Sequence, residues 1–254
     1  MDALATDALL AGVALVAGAI NSVAGGGSFL SFPALILAGV PPISANATNN
    51  TAMFVGTGAS AWGYRRELKP YARTVLPGIV VSLIGALLGA MLLLHTPADL
   101  FERMIPWLLL FAMLVFIASP HLTRHVDPHG GGRLHSPLQL VLQFATAIYG
   151  GYFGAGIGYL MLAILSLSGL PDMNAMNGIK TLFAACINGI AIVPFVIAGI
   201  IDWKYALLMM VFAILGGYLG AKVFRRFPSR YTRAVVIVLG LCMTAYFFLK
   251  GSHG

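Results

Sequence analysis

The chain has 254 residues, of which 59% are hydrophobic and 9% are charged. A soluble domain carries about 25% charged residues, so this composition excludes a water-facing globular surface and indicates a membrane domain. The formal net charge of +7 does not indicate a nucleic-acid partner. Lys and Arg fall mainly in short loops between apolar runs, as they do on the cytoplasmic side of membrane proteins.

A helix needs about 20 apolar residues to cross a bilayer. The third, fourth, eighth and ninth apolar segments of the chain reach that length. The first two segments, and likewise the sixth and seventh, are shorter and are separated by glycines, so each pair is either two tilted spans or a re-entrant pair of half-helices. Periodicity does not choose between these alternatives. In chain order the predicted segments are 8–23, 27–39, 46–64, 74–94, 104–119, 137–153, 158–170, 177–198, 204–224 and 233–250.

The segments repeat. Sliding the chain by 130 positions superimposes glycines, prolines and leucines in the same order, for example Gly26 on Gly156 and Pro41 on Pro171. This pattern indicates a duplication. We therefore predict an all-α membrane protein with two repeats, 1–119 and 137–254, each a glycine-broken short pair followed by three transmembrane helices, joined by a cytoplasmic linker, 120–136.

Loop charges give the orientation of the repeats. Two loops are strongly basic and should be cytoplasmic, whereas their repeat partners carry fewer basic residues, together with Asp99, Glu102 and Asp202. Equivalent loops then face opposite sides, so the repeats are predicted to be inverted and both termini to lie outside. Inverted repeats with interrupted helices are typical of secondary transporters. The basic residues are Arg65, Arg66, Lys69 and Arg73 in one loop and Lys222, Arg225, Arg226, Arg230 and Arg233 in the other.

The linker contains four histidines, His121, His125, His129 and His135. We interpret it as a flexible segment rather than a metal site, because no acidic or cysteine ligands accompany them. Cys186 and Cys242 both lie within apolar segments and are interpreted as small core residues.

A glycine run interrupts the first short pair, in the sequence Asn21-Ser-Val-Ala-Gly-Gly-Gly-Ser28. A helix that restarts after a break presents free N–H groups and a positive dipole end, which can bind an anion without a charged side chain. The alternative is that these glycines only permit close helix packing, which is our interpretation of Gly85, Gly89, Gly216 and Gly220. The candidate substrate residues at the two breaks are Asn21, Gly25, Gly26, Gly27 and Ser28, and Gly154, Gly156 and Gly158.

A polar patch opens the long helix after each short pair. One residue of each patch can cap the helix, which leaves further amides and hydroxyls that could bind an oxyanion. These candidates are Asn46, Thr48, Asn49 and Asn50 in the first repeat, and Asn177, Thr181 and Asn188 in the second.

Lys180 is the one basic residue predicted within reach of the membrane interior, and it aligns with Asn50. An intramembrane charge is a functional-site hypothesis by default, and snorkelling to the interface is the alternative. All eight acidic residues are predicted in loops or near the termini. This distribution argues against a carboxylate proton relay or a cation site, and it favours an anionic substrate.

The sequence resembles the sulfite exporter TauE/SafE family over roughly residues 8–248. The resemblance is carried in the first repeat by Gly25-Gly26-Gly27, Pro33-Ala-Leu35, Ala45 and Thr48-Asn49, and in the second by Asn177-Gly-Ile-Lys180, Asn188 and Gly199-Ile-Ile-Asp-Trp203. The second repeat departs in having Gly154-Ala-Gly156 in place of a glycine triplet and no proline at Ala163. The two half-sites are therefore expected to be unequal.

The resemblance implies a bacterial inner-membrane permease for sulfite, sulfoacetate or related anions, with no cofactor. Export driven by the membrane potential or by an ion gradient is our expectation, and a homodimer is allowed. An anion channel, an intramembrane enzyme and a non-transporting receptor are the alternatives. An enzyme is disfavoured, because a serine such as Ser60 needs a base and no histidine lies within a predicted span.

Overall fold

The computed structural model describes residues 2–23, 26–124, 136–168, 170, 173–223 and 229–251, and these residues form eleven α-helices. All ten apolar segments predicted from the sequence are helices. A one-turn helix, α4, and a 3-10 turn at Lys69–Tyr71 lie within the basic loop between α3 and α5. The helices are α1 (Ala3–Val23), α2 (Ser28–Leu37), α3 (Pro42–Gly63), α4 (Arg65–Leu68), α5 (Leu76–His95), α6 (Ala98–Arg124), α7 (Pro137–Tyr152), α8 (Ile157–Ser166), α9 (Met173–Ile197), α10 (Trp203–Val223) and α11 (Ser229–Gly251).

The first residues of the predicted linker are helical. Helix α6 continues to Arg124, five residues into the segment 120–136, and it includes His121. His125, His129 and His135, on which the metal alternative depended, lie outside the described residues.

Five of the described helices, α1, α5, α6, α9 and α10, are long and apolar enough to cross a membrane. Their outward surfaces carry large exposed apolar side chains, for example Leu92, Trp107 and Val211, which are 55%, 63% and 55% exposed. Contiguous apolar surfaces of this kind are not tolerated by a soluble monomer. The chain is therefore a multi-pass α-helical membrane protein.

The two cysteines differ in exposure. Cys242 is exposed, so its interpretation as a core residue was wrong, whereas Cys186 is half-buried. Both thiols are free.

Helices α7 and α8 form a hairpin whose two ends lie side by side. Gln139 in the first turn of α7 donates from Nε2 to Oγ of Ser168, just beyond the end of α8, at 2.8 Å. The chain therefore returns to the end of the bundle at which α7 began. The turn between the two helices contains Gly154 and Gly156 with φ of 76° and 78°, a left-handed conformation that glycine adopts readily.

Helices α1 and α2 return in the same way. Asp7 near the start of α1 forms an ion pair with Lys204 at 2.9 Å. Thr48 near the start of α3 accepts a hydrogen bond from the backbone N–H of Asp202 at 3.0 Å. Because Asp202 and Lys204 both lie at the start of α10, α1 and α3 begin at the same end of the bundle. The chain therefore returns to its starting end here too, as either two tilted spans or a re-entrant pair would. The second helix of each pair, α2 or α8, has ten residues, about half of the number that a helix needs to cross a bilayer.

Two helix pairs pack with their backbones in close contact, α1 against α10 and α5 against α7. A Cβ atom on Gly216 would lie 1.9 Å from the carbonyl oxygen of Leu15, and one on Gly89 would lie 2.0 Å from that of Ile148. The packing role assigned to the glycines of α5 and α10 is therefore confirmed. Helix α3 packs against α9 and α10, α9 also packs against α5, α6 packs against α8 and α11, and α11 packs against α2.

Substituting Gly216 with alanine should force α1 and α10 apart, because the added carbon meets backbone atoms that cannot turn away. We expect a loss of about 1–3 kcal/mol in the free energy of unfolding, the usual range for overpacking. Thermal unfolding in detergent, followed by circular dichroism, would measure it. The matched control is Gly58→Ala on α3, where an added Cβ has no atom within 4 Å; equal midpoints for the two variants would contradict the packing account.

Candidate functional site

A small cavity of about 20 Å³ lies where the two hairpins meet α3 and α9. This is enough space for a water molecule. We call it the central cavity. Its lining combines residues from both glycine breaks with one face of α9. The lining residues are Asn21, Ser28, Thr57, Gly154, Ile157, Gly158, Lys180, Thr181, Ala184 and Asn188.

Asn21 organises the first break. Its Oδ1 accepts a hydrogen bond from the backbone N–H of Gly27 at 2.8 Å, and its Nδ2 contacts Sδ of Met53 at 3.3 Å. Gly27 sits so close to α1 that a Cβ there would lie 2.1 Å from the carbonyl oxygen of Ala17. The glycine is thus required for the backbone to approach, and the amide of Asn21 occupies one N–H group at the start of α2. Gly25 lies outside the described residues.

The second break is held by two asparagines of α3. Asn46 donates from Nδ2 to the carbonyl oxygen of Tyr152 at 2.9 Å, at the end of α7. A Cβ on Gly154 would lie 2.7 Å from Oδ1 of Asn50, so the amide of Asn50 packs directly on the turn. Gly156, one residue before α8, is its left-handed N-cap. The break is therefore placed by side chains of the other half of the chain.

Lys180 is 1% exposed and lies on α9, two turns from its start. Its Nζ donates to Oδ1 of Asn177 at 3.1 Å and to the backbone oxygen of Asn21 at 3.5 Å. An ammonium group has three N–H donors, so these neutral oxygens take two of them. Among the described residues that line the central cavity, none is acidic. The amine of Lys180 is thus buried without an opposing charge in its own cavity, and the snorkelling alternative does not describe it.

Some buried polar atoms near the breaks have no hydrogen-bond partner within the described part of the chain. They are Oδ1 of Asn46, Nδ2 of Asn49, Nδ2 of Asn50 and Oδ1 of Asn188. A buried polar group without a partner is rare in native proteins and calls for an explanation, such as a bound ligand or water. Asn188 also lines the central cavity, so its free oxygen is positioned to meet a bound molecule or its water.

Seven of the predicted site residues come together around the central cavity: Asn21, Ser28, Gly154, Gly158, Lys180, Thr181 and Asn188. Thr57 lines the cavity but was not among the predicted residues. It lies two turns beyond Asn50 on α3, much as Asn188 lies two turns beyond Lys180 on α9, so applying the same spacing to both helices would have found it.

The other predicted residues do not line the cavity, and several make identifiable contacts elsewhere. Asn177 accepts the hydrogen bond from Lys180. Asn49 accepts one from Oγ of Ser31, and Thr48 anchors the loop before α10. Gly26, Gly27, Gly156, Asn46 and Asn50 form or contact the breaks.

Helix hairpins that meet at a buried polar cavity, within a bundle of long apolar helices, define a multi-pass membrane protein with an internal cavity. The family model described as sulfite exporter TauE/SafE matches residues 10–247. The chain therefore belongs to the sulfite exporter TauE/SafE family, whose relatives are named as membrane transporters.

Three relatives illustrate that relationship. A probable membrane transporter protein of Haemophilus influenzae is 31% identical over 241 residues, which cover 94% of this chain and 92% of the relative. The probable membrane transporter protein ORF9 of a Sinorhizobium species is 29% identical over 244 residues, covering 94% and 91%. YfcA of Escherichia coli K12, also a probable membrane transporter protein, is 29% identical over 245 residues, covering 95% and 89%. No solved structure matches the chain significantly.

The two cavity asparagines should behave differently when truncated. Asn21→Ala removes the acceptor for the N–H of Gly27, and a buried donor left without a partner costs about 1–3 kcal/mol. Asn188→Ala removes an oxygen that has no partner in the described part of the chain, so its effect on stability should be smaller. Thermal unfolding in detergent measures both, and a larger loss for Asn188→Ala would contradict these assignments.

Proposed function

We propose that the protein transports small oxyanions and binds them in the central cavity beside Lys180. The observation that carries this proposal is the charge imbalance in that cavity. A fully buried lysine faces neutral oxygens of Asn177 and Asn21, and none of the described lining residues is acidic. A buried cation is expensive unless it is paired. A bound anion would supply the missing charge.

The neutral groups of the cavity suit the same ligand. Ser28 and Gly158 bring the first turns of α2 and α8 to the cavity, and Asn188 brings an amide. Thr57 and Thr181 also line it, but their hydroxyls donate to backbone carbonyls of their own helices. N–H donors and the positive end of a helix dipole bind oxyanions without a metal. No cofactor is needed for such a site.

The substrate class follows from the family. Its model bears the description of a sulfite exporter, and we infer that sulfite, sulfoacetate or a related sulfur or organic anion is carried. The two breaks differ: Lys180 stands in the second repeat where Asn50 stands in the first. An anion with two unlike ends, such as sulfoacetate, fits unequal half-sites better than a symmetric anion does.

We further propose that the two halves are inverted repeats. Helix contacts support this arrangement, because α1 packs on α10 as α7 packs on α5, and α2 packs on α11 as α8 packs on α6. In each half a re-entrant hairpin is followed by three long helices, α3, α5 and α6 or α9, α10 and α11. An odd number of crossings per half reverses the orientation of the second copy, which agrees with the loop charges.

Orientation and driving force follow from the same charges. The loop 65–73 would face the cytoplasm of a bacterial inner membrane, with both termini in the periplasm. With the cell interior negative, each negative charge that leaves gains about 2.3 kcal/mol per 100 mV. Export could therefore be driven by the membrane potential alone or be coupled to an ion gradient.

The alternative to a carrier is an anion channel. Saturable flux with counter-transport would identify a carrier, whereas a channel would need a continuous path through the bundle.

Replacing Lys180 with methionine should abolish transport while keeping a side chain of similar length. Because the variant leaves a buried anion without its cation, we expect a loss of at least 2 kcal/mol, or about 30-fold, in transport. The measurement is uptake of labelled sulfite, sulfoacetate and sulfate into liposomes under an imposed potential. Lys204→Met is the control, since that lysine is exposed and paired with Asp7.

Three outcomes of this assay are informative. Flux lost only in the Lys180 variant supports the proposal. Equal flux in both variants contradicts the role of Lys180 but leaves an anion transporter. If no anion is carried by the wild-type protein at either polarity, the substrate class is wrong.

The proposed topology makes a separate prediction. Alkaline phosphatase fused after Gly251 should be active and green fluorescent protein fused there should be dark, because a periplasmic terminus favours the first reporter only. The same two reporters inserted at Lys69 should give the reverse pattern. A fluorescent fusion after Gly251 would contradict the inverted arrangement.

A further inference from the structure

A second cavity, also of about 20 Å³, lies between α5, α7, α8 and α9. Its lining is partly polar although two of these helices, α5 and α9, are long and apolar enough to cross the membrane. Residues that line it include Thr74, Gly78, Gln139, Gln143, Ser168 and Phe183. We call it the side cavity. None of the residues predicted from the sequence as a site lies in its lining.

Two pairs of buried side chains form successive polar levels along α7 beside this cavity. Gln139 donates to Ser168 at 2.8 Å, and one turn further along the helix Gln143 donates to Ser82 of α5 at 2.8 Å. Both glutamines are at most 6% exposed. Polar groups inside a membrane bundle normally pack in protein or line a water-filled space. Both glutamines lie on the side of α7 that faces the side cavity.

The side cavity lies at the end of the bundle that carries the basic loop. Thr74 and Val75 in its lining follow directly on Arg73. Phe183 also lines it, one turn from Lys180 on α9. The ring of Phe183 packs against Gly78, where a Cβ would lie 2.5 Å from Cζ. Phe183 is therefore the residue of the side cavity that adjoins, along α9, Thr181 and Ala184 of the central cavity.

The corresponding place in the other half of the chain is apolar. In the 130-residue alignment Gln139 and Gln143 correspond to Leu9 and Val13, and Phe183 corresponds to Met53. With one additional residue Gly78 corresponds to Met209 and Ser82 to Ala213. Met53, Met209 and Ala213 are all fully buried in the hydrophobic core. The polar side chains thus occur at one end of the bundle, and the residues aligned with them at its counterpart are apolar.

We propose that the side cavity is the route by which water and the anion pass between the basic end of the bundle and the central cavity, with Phe183 as the barrier between them. This inference rests on the proposed function for its ligand, a small oxyanion. Amides and hydroxyls can replace part of the hydration shell of an anion. Because these amides and hydroxyls carry no charge, they do not bind the anion tightly. The nearby basic loop raises the local concentration of the anion.

Cysteine accessibility tests the route without requiring transport. In a background with Cys186 and Cys242 replaced by alanine, Gln143→Cys is compared with its counterpart Val13→Cys. A charged, membrane-impermeant methanethiosulfonate reagent is applied to either face of membrane vesicles. Lys69→Cys, in the exposed basic loop, reports which face carries that loop. Gln139→Cys repeats the test if Gln143→Cys fails to fold.

The proposal predicts that Gln143→Cys is modified only from the face that modifies Lys69→Cys, and that Val13→Cys is modified from neither face. Adding Phe183→Ala should extend modification to a cysteine at Thr181 in the central cavity. Unmodified cysteines at both glutamine positions, or equal modification of Val13→Cys, would overturn the route. Directional modification in a protein that carries no anion would leave the route standing and overturn only the proposed substrate.

Discussion

A lysine buried without an opposing carboxylate in its cavity is the constraint on which this account depends. Lys180 can remain inside the bundle because Asn177 and the backbone of Asn21 give it two oxygens. Those oxygens are neutral, so they compensate only part of the lost hydration. In the proposed function a bound anion compensates the rest. The hydrogen bond to the backbone of Asn21 also ties the amine to the break that follows α1, so movement of that hairpin would change the surroundings of the amine.

The hairpins themselves depend on glycines and on asparagines from the opposite half of the chain. Gly27 lets α2 begin against α1, and Asn46 occupies the last carbonyl of α7. Non-helical backbone is tolerated within a membrane only when such partners satisfy it. The polar patch that opens α3 thus holds the second break in place, and the patch that opens α9 holds the first through Asn177 and Lys180. Each half of the protein completes the break of the other.

Hydropathy predicted every long helix, because each apolar segment must be long enough to cross or re-enter the bilayer. It could not decide whether the short pairs cross, since a re-entrant half-helix and a tilted span have the same apolar pattern. Long-range contacts such as that of Gln139 with Ser168 show that a short pair returns to its starting end, which both arrangements do. The sequence predicted residues that lie near the site, but not which of them face the cavity and which bind the backbone. Asn46, Thr48 and Asn188 look equivalent in sequence, yet the first two bind backbone groups of the fold and only the third faces the cavity.

The most direct test of the central claim is to locate a bound anion. Selenite, the selenium analogue of sulfite, would be bound to the purified protein and its position determined by anomalous diffraction from crystals. The account predicts one selenium peak in the central cavity, within hydrogen-bonding distance of Nζ of Lys180 and lost in Lys180→Met. A peak elsewhere in the protein, or one that persists in that variant, would contradict it.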